Sequence, residues 1–132
     1  MSINTSDIRR FAEGYTQAWC SRSGEKVASF FSENATSIIN KGEPTIGRAA
    51  IAEAMGAFFV EVPDLVLSMD DLRCGGNVAI YFWTLEGTHS ETGNFVRIPE
   101  WQNWILSDDL LITEADGGYD AEEYDRQVRE GI

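Results

Sequence analysis

Ile8, Phe11, Ala12, Tyr15, Ala18 and Trp19 recur at the spacing that lays apolar side chains along one face of a helix. Thr5 or Ser6 is placed to cap its first turn, where a side-chain oxygen accepts from an orphan backbone N–H, and Asp7 complements the positive end of the helix dipole. Val27, Phe30 and Phe31 predict a second, shorter helix after the Ser23-Gly24 break, and Thr36 to Asn40 a short strand. Lys41-Gly42-Glu43-Pro44 reads as a turn. Thr45-Ile46-Gly47 leads into a third helix with Ile51, Ala54, Met55 and Phe58 on one face, and the chain must leave that helix before Pro63.

From Leu65 the apolar period changes to two. Leu65 to Leu72 predicts a strand, Cys74-Gly75-Gly76-Asn77 a turn, and Val78 to Ser90 a long strand. Glu91-Thr92-Gly93-Asn94 turns into a further strand, Phe95 to Leu106. Ser107-Asp108-Asp109 precedes a last strand from Leu110 to about Asp116. The tail carrying Tyr124, Gln127 and Val128 predicts a terminal helix that Asp120 is placed to cap.

Helices followed by an antiparallel meander predict a single α+β layered domain over residues 1–132, with no repeat or linker to divide it. The long strands are apolar on both faces: Ile80 and Phe82 oppose Tyr81 and Trp83, and Trp101 opposes Trp104. The helices can cover one face. A second copy of the chain is the expected cover for the other, a homodimer through the sheet.

Charge narrows the partners. Ten Lys and Arg against 22 Asp and Glu give a formal charge of −12, which repels phosphate backbones and anionic lipid, so neither nucleic acid nor membrane is expected. No apolar run approaches the ~20 residues that span a bilayer. Met1 to Asp7 lacks the basic start and apolar stretch of a signal peptide, and Cys20 and Cys74 are far apart without C-x-x-C spacing. A cytoplasmic protein with reduced thiols is the expectation.

Chemistry concentrates where aromatic residues meet titratable ones. His89 is the sole histidine and ends the alternating face Tyr81, Trp83, Leu85, Gly87, which makes it a candidate acid or base near neutral pH. Asp116 shares a face of the last strand with Glu114 and Ile112 if no bulge intervenes, and desolvation there would raise its proton affinity. Tyr15 offers a hydroxyl donor for a developing oxyanion. Trp19, Met55, Phe58, Trp83 and Trp101 are the candidate walls of an apolar cavity for a small hydrophobic ligand. One histidine without spaced partners does not make a zinc site, and phosphate-loop, dinucleotide and nucleophile-elbow motifs are missing. Neither metal nor cofactor is expected.

Tyr15-Thr16-Gln17-Ala18-Trp19, Phe30-Phe31-Ser32-Glu33-Asn34-Ala35, Ile46-Gly47-Arg48-Ala49-Ala50-Ile51, the run from Trp83 to Gly87-Thr88-His89, Leu111-Ile112-Thr113-Glu114, Tyr119-Asp120 and Arg126-Gln127 follow one another along nearly the whole chain. In that order they resemble the nuclear transport factor 2-like superfamily, and within it the SnoaL-like, polyketide cyclase-like branch. The resemblance implies a cystatin-like cone: a curved, antiparallel-rich sheet wrapped around the N-terminal helices, with a pocket inside and dimers formed through the sheet. It also implies isomerase, cyclase or dehydratase chemistry by proton transfer on a cyclic metabolite, or a non-catalytic ligand-binding or dimerisation module of the same fold. SnoaL-like cyclases carry an E-H-W-D-like run on the last strand. Here that strand reads Glu114-Ala115-Asp116-Gly117-Gly118, without the histidine and tryptophan, and Asp116 and Asp120 are its nearest acids.

Overall fold

A computed structural model describes residues 4–132. The first helix, α1 (Thr5–Cys20), buries Ile8, Ala12, Tyr15, Ala18 and Trp19, the face that the spacing predicts. Its cap is neither Thr5 nor Ser6. The helix already includes both, so the extended residue before them, Asn4, takes the cap and its side chain accepts from the Asp7 N–H at 2.8 Å.

The second helix, α2 (Gly24–Ala28), stops short of both phenylalanines that the sequence assigns to it. Phe31 instead opens β1 (Phe31–Ile39), because the Phe30 carbonyl accepts from Ile112 N–H at 2.9 Å and starts a parallel pairing. The strand is longer than the predicted Thr36–Asn40, since Ser32, Glu33 and Asn34 mask its alternation and its register slips between Phe31 and Thr36. A short β2 (Thr45–Ile46) leads into α3 (Arg48–Glu61), whose Ile51 and Met55 are buried and whose Phe58 is half-buried. Arg48 ties the start of α3 to β1 by donating from Nε and Nη2 to the Phe31 carbonyl, at 2.9 and 2.8 Å.

Four strands follow: β3 (Val66–Gly75), β4 (Val78–Thr88), β5 (Phe95–Leu106) and β6 (Ile112–Tyr119). The turn between β3 and β4 is only Gly76-Asn77, with Gly76 at φ 61°, a conformation that glycine adopts without strain. The sheet runs β2-β1-β6-β5-β4-β3 and stays open; all its pairings are antiparallel except β1 with β6. Its inner face packs on α1 and α3, giving the expected α+β class.

β6 pairs only with the second half of β5, from Glu100 to Leu106. The last helix, α4 (Ala121–Glu130), capped by Asp120 as predicted, lies against the free half. Gln127 Oε1 accepts from the Arg97 N–H at 2.6 Å and Asn94 Nδ2 donates to the Val128 carbonyl at 2.9 Å. A glutamine side chain thus supplies the acceptor that a neighbouring strand would otherwise provide.

Among the described residues no helix is long and apolar enough to cross a membrane.

Candidate functional site

β5 alternates without interruption, with Val96, Ile98, Glu100, Gln102, Trp104 and Leu106 buried and the residues between them exposed. Cross-strand pairing extends this into rows on the inner face. One row is Met69, Trp83, Glu100 and Tyr119, and its neighbour is Tyr81, Gln102 and Gly117. Ile39, at the end of β1, and Met55 and Phe58 from α3 close a small cavity over these rows together with Trp19. It has about 10 Å³ of space for a water centre, room for one water molecule.

Glu100 is the chemical centre of that cavity. It is 8% exposed, and its Oε2 has no hydrogen-bond partner among the described residues. Burial pushes its carboxyl up to about 8, so the acid is mostly neutral at pH 7. Trp83 Nε1 is likewise buried without a partner, whereas Trp19 Nε1 is turned toward the Tyr15 hydroxyl, whose phenolate form it favours. The third indole is satisfied: Trp104 Nε1 donates to Gln102 Oε1 at 2.9 Å, and the Tyr15 hydroxyl donates to the same oxygen at 3.2 Å. Tyr15 is fully buried, and that burial raises its phenol.

Below this level aromatic rings fill the interior. Tyr81 stacks on Trp104 with centroids 4.8 Å apart, Trp19 leans on Trp83 at 5.2 Å, and Tyr15 meets Tyr81 and Trp104 edge-on. The Tyr81 hydroxyl is hydrogen-bonded to Thr16 Oγ1, and burial raises its phenol too.

The residues singled out from the sequence separate into three groups. Trp19, Met55, Phe58 and Trp83 line the cavity together. Tyr15 lies one layer deeper, holding Gln102 rather than facing the open space. Trp101 also borders the cavity, although its side chain alternates onto the outer face of β5; His89 and Asp116 are elsewhere.

His89 follows the end of β4 and is buried at the α4 end of the sheet. Its Nδ1 accepts from the Glu91 N–H at 3.3 Å, its Nε2 is 3.8 Å from Glu61 Oε1, and its ring is 6.5 Å from that of Tyr124. The space that Gly87 leaves is taken by Val62 and Asp64 rather than by the cavity. Asp116 is exposed on the outer face, because Thr113 is an extra residue: Leu106 pairs with Ile112 but Ile105 with Glu114. That bulge leaves Ile112 inward and turns Glu114 and Asp116 outward. Trp101, odd-numbered on β5, is 43% exposed on the same outer face beside Phe82.

Glu100 and Gln102 escaped the sequence reading. Their signal was a charged and a polar residue falling in phase with Val96, Ile98, Trp104 and Leu106, where an apolar side chain is the rule.

A family profile described as a SnoaL-like domain matches residues 9–115. No match is found among curated proteins. Among solved structures, TsrD from Streptomyces laurentii superposes with a TM-score of 0.83 at 16% identity, covering 96% of this chain and 97% of that one. A putative SnoaL-like polyketide cyclase from Jannaschia sp. CCS1 gives 0.79 at 14% identity, covering 94% of each. TerC, co-crystallised with polyporic acid, gives 0.77 at 15% identity, covering 91% of this chain and 96% of that one.

Proposed function

The chain belongs to the family of SnoaL-like domains, and from that premise we propose that it binds a small hydrophobic cyclic molecule against Trp83 and moves a proton on it through Glu100. The observation that carries this reading is the Glu100 carboxyl, buried in an aromatic cavity with one oxygen unpartnered. A carboxyl raised toward neutrality gives up its proton as an acid and takes one back as a base near physiological pH. The role shifts to Glu100 from His89 and Asp116, neither of which lines that cavity. Tyr15 acts through Gln102, whose oxygen it helps to hold. Met55 and Phe58 form the α3 wall, and the unbranched thioether of Met55 lets that wall yield to a ligand larger than water. The polyporic acid held by TerC supports a small-molecule ligand in this fold.

A homodimer through the outer face belongs to the same reading. Its support is the apolar pairing of Phe82 with Trp101 and of Val78 with Ile105, all outward. Two free, half-buried thiols, Cys20 and Cys74, support a cytoplasmic location.

The test is deuterium exchange into 2-tetralone, whose carbon next to the carbonyl loses a proton to a general base. Expected is catalysed exchange by the wild type, reduced about 100-fold or more in Glu100→Gln. Equal exchange by both proteins would overturn the role of Glu100. A second reading, a non-catalytic ligand-binding module, draws on the aromatic packing that leaves space for one water. Tight binding of the ketone without exchange would favour it.

A further inference from the structure

We propose that Gln102 is a specificity-determining residue, whose fixed amide presents N–H donors to the cavity and selects ligands with an acceptor-only oxygen there, a carbonyl or an enolate. The inference rests on the cavity being the ligand site, as proposed above, and adds the class of group that enters it.

The orientation of the amide follows from chemistry. An indole N–H only donates, so the Gln102 atom 2.9 Å from Trp104 Nε1 must be the oxygen. The Tyr15 hydroxyl, 3.2 Å from the same atom, donates to it as well. Two buried donors from α1 and β5 therefore lock Oε1 away from rotation, and the opposite end of the amide, Nε2, makes no hydrogen bond with any described residue. Tyr15 and Trp104 lie beneath the cavity, whereas Gln102 itself lines it, next to Glu100 on the same strand face. The free donors are thus on the cavity side.

Trp83 Nε1, across from Glu100, adds another unpartnered donor. The only acceptor among these groups is the Glu100 carboxyl. A ligand that itself presents N–H groups would leave these donors facing donors, while a carbonyl oxygen offers lone pairs to several at once. This preference runs against the molecule as a whole, whose charge of −12 draws organic cations toward its surface.

Competition between 2-tetralone and 2-aminotetralin, which share a carbon skeleton, tests it. Affinities are read from tryptophan fluorescence at pH 7, where the amine is a cation. Expected is about tenfold or more tighter binding of the ketone by the wild type. Gln102→Met keeps the side-chain length and removes the amide donors without adding a carboxyl O–H, so its ketone preference should vanish. Trp83→Phe provides a second variant that keeps the ring and loses one donor, and it should weaken the ketone preference several-fold. Equal affinity in the wild type, or an undiminished ketone preference in the Gln102 variant, would overturn the role of Gln102 while leaving the proton transfer by Glu100 standing. Loss of deuterium exchange with the ketone preference intact would do the reverse. Failure of both compounds to bind at millimolar concentration would overturn both readings.

Discussion

Trp83 and Glu100 stand directly opposite each other on β4 and β5, both turned inward, and each buries a polar atom that no described residue satisfies. One row further along, the equivalent pair is Leu85 and Ile98, which carries no such cost. Leaving a buried polar group unpaired costs about 1–3 kcal/mol. The fold bears that cost where the inner face meets a cavity, as expected of a site kept for a ligand and not for packing.

Glu100→Gln keeps the side-chain shape and removes the titration. Burial raises the carboxyl from 4.5 to about 8, so between those values the folded chain holds a proton that the unfolded chain has released. The contribution of this carboxyl is fully present below pH 4.5 and is lost as the pH rises through about 8, at up to roughly 1.4 kcal/mol per pH unit. The variant lacks this contribution. Urea unfolding of both proteins from pH 5 to pH 9 should show their stability difference shifting by several kcal/mol in favour of Gln; parallel curves would mean that the carboxyl ionises in the folded state without penalty.

Trp19→Ala should cost about 3–5 kcal/mol in denaturant unfolding, since a large aromatic in contact with Phe58, Phe59 and Trp83 is deleted from the core. A loss under about 1 kcal/mol would show that α1 is not docked through this face.

Gln127→Ala should loosen α4 while leaving the sheet intact. The Arg97 N–H loses its acceptor, at a cost of about 1–2 kcal/mol. Amide hydrogen exchange reads this directly. Arg97 should exchange at least tenfold faster, with the amides of β4 unchanged, and uniform acceleration across the sheet would contradict a local role.

Trp101→Lys places a charge on the outer face beside Phe82. Sedimentation should report a dimer for the wild type at micromolar concentration and a monomer for the variant, with a lower melting temperature as the linkage between association and folding requires. A monomeric wild type would remove the sheet face as an interface.

Local periodicity determined a large part of this molecule. The α1 face from Ile8 to Trp19, the uninterrupted alternation of β5, the Asp120 cap and the stop before Pro63 depend on neighbours within a few residues, so they are legible in the chain. Trp19, Met55, Phe58 and Trp83 came together in one cavity because three such local faces meet there. Non-local pairing decided the rest. Phe31 is a strand residue because Ile112 reaches the carbonyl before it, and Asp116 faces solvent because one extra residue at Thr113 reverses the phase of β6. His89 lies under α4 because β4 ends before it. Glu100 was visible as a charge in phase with apolar neighbours, but its raised proton affinity needed Trp19, Met55 and Phe58 to arrive from two helices and exclude water. Alternation along a strand assigns a side chain to a face; only the elements packed over that face determine how much solvent reaches it, and hence its charge.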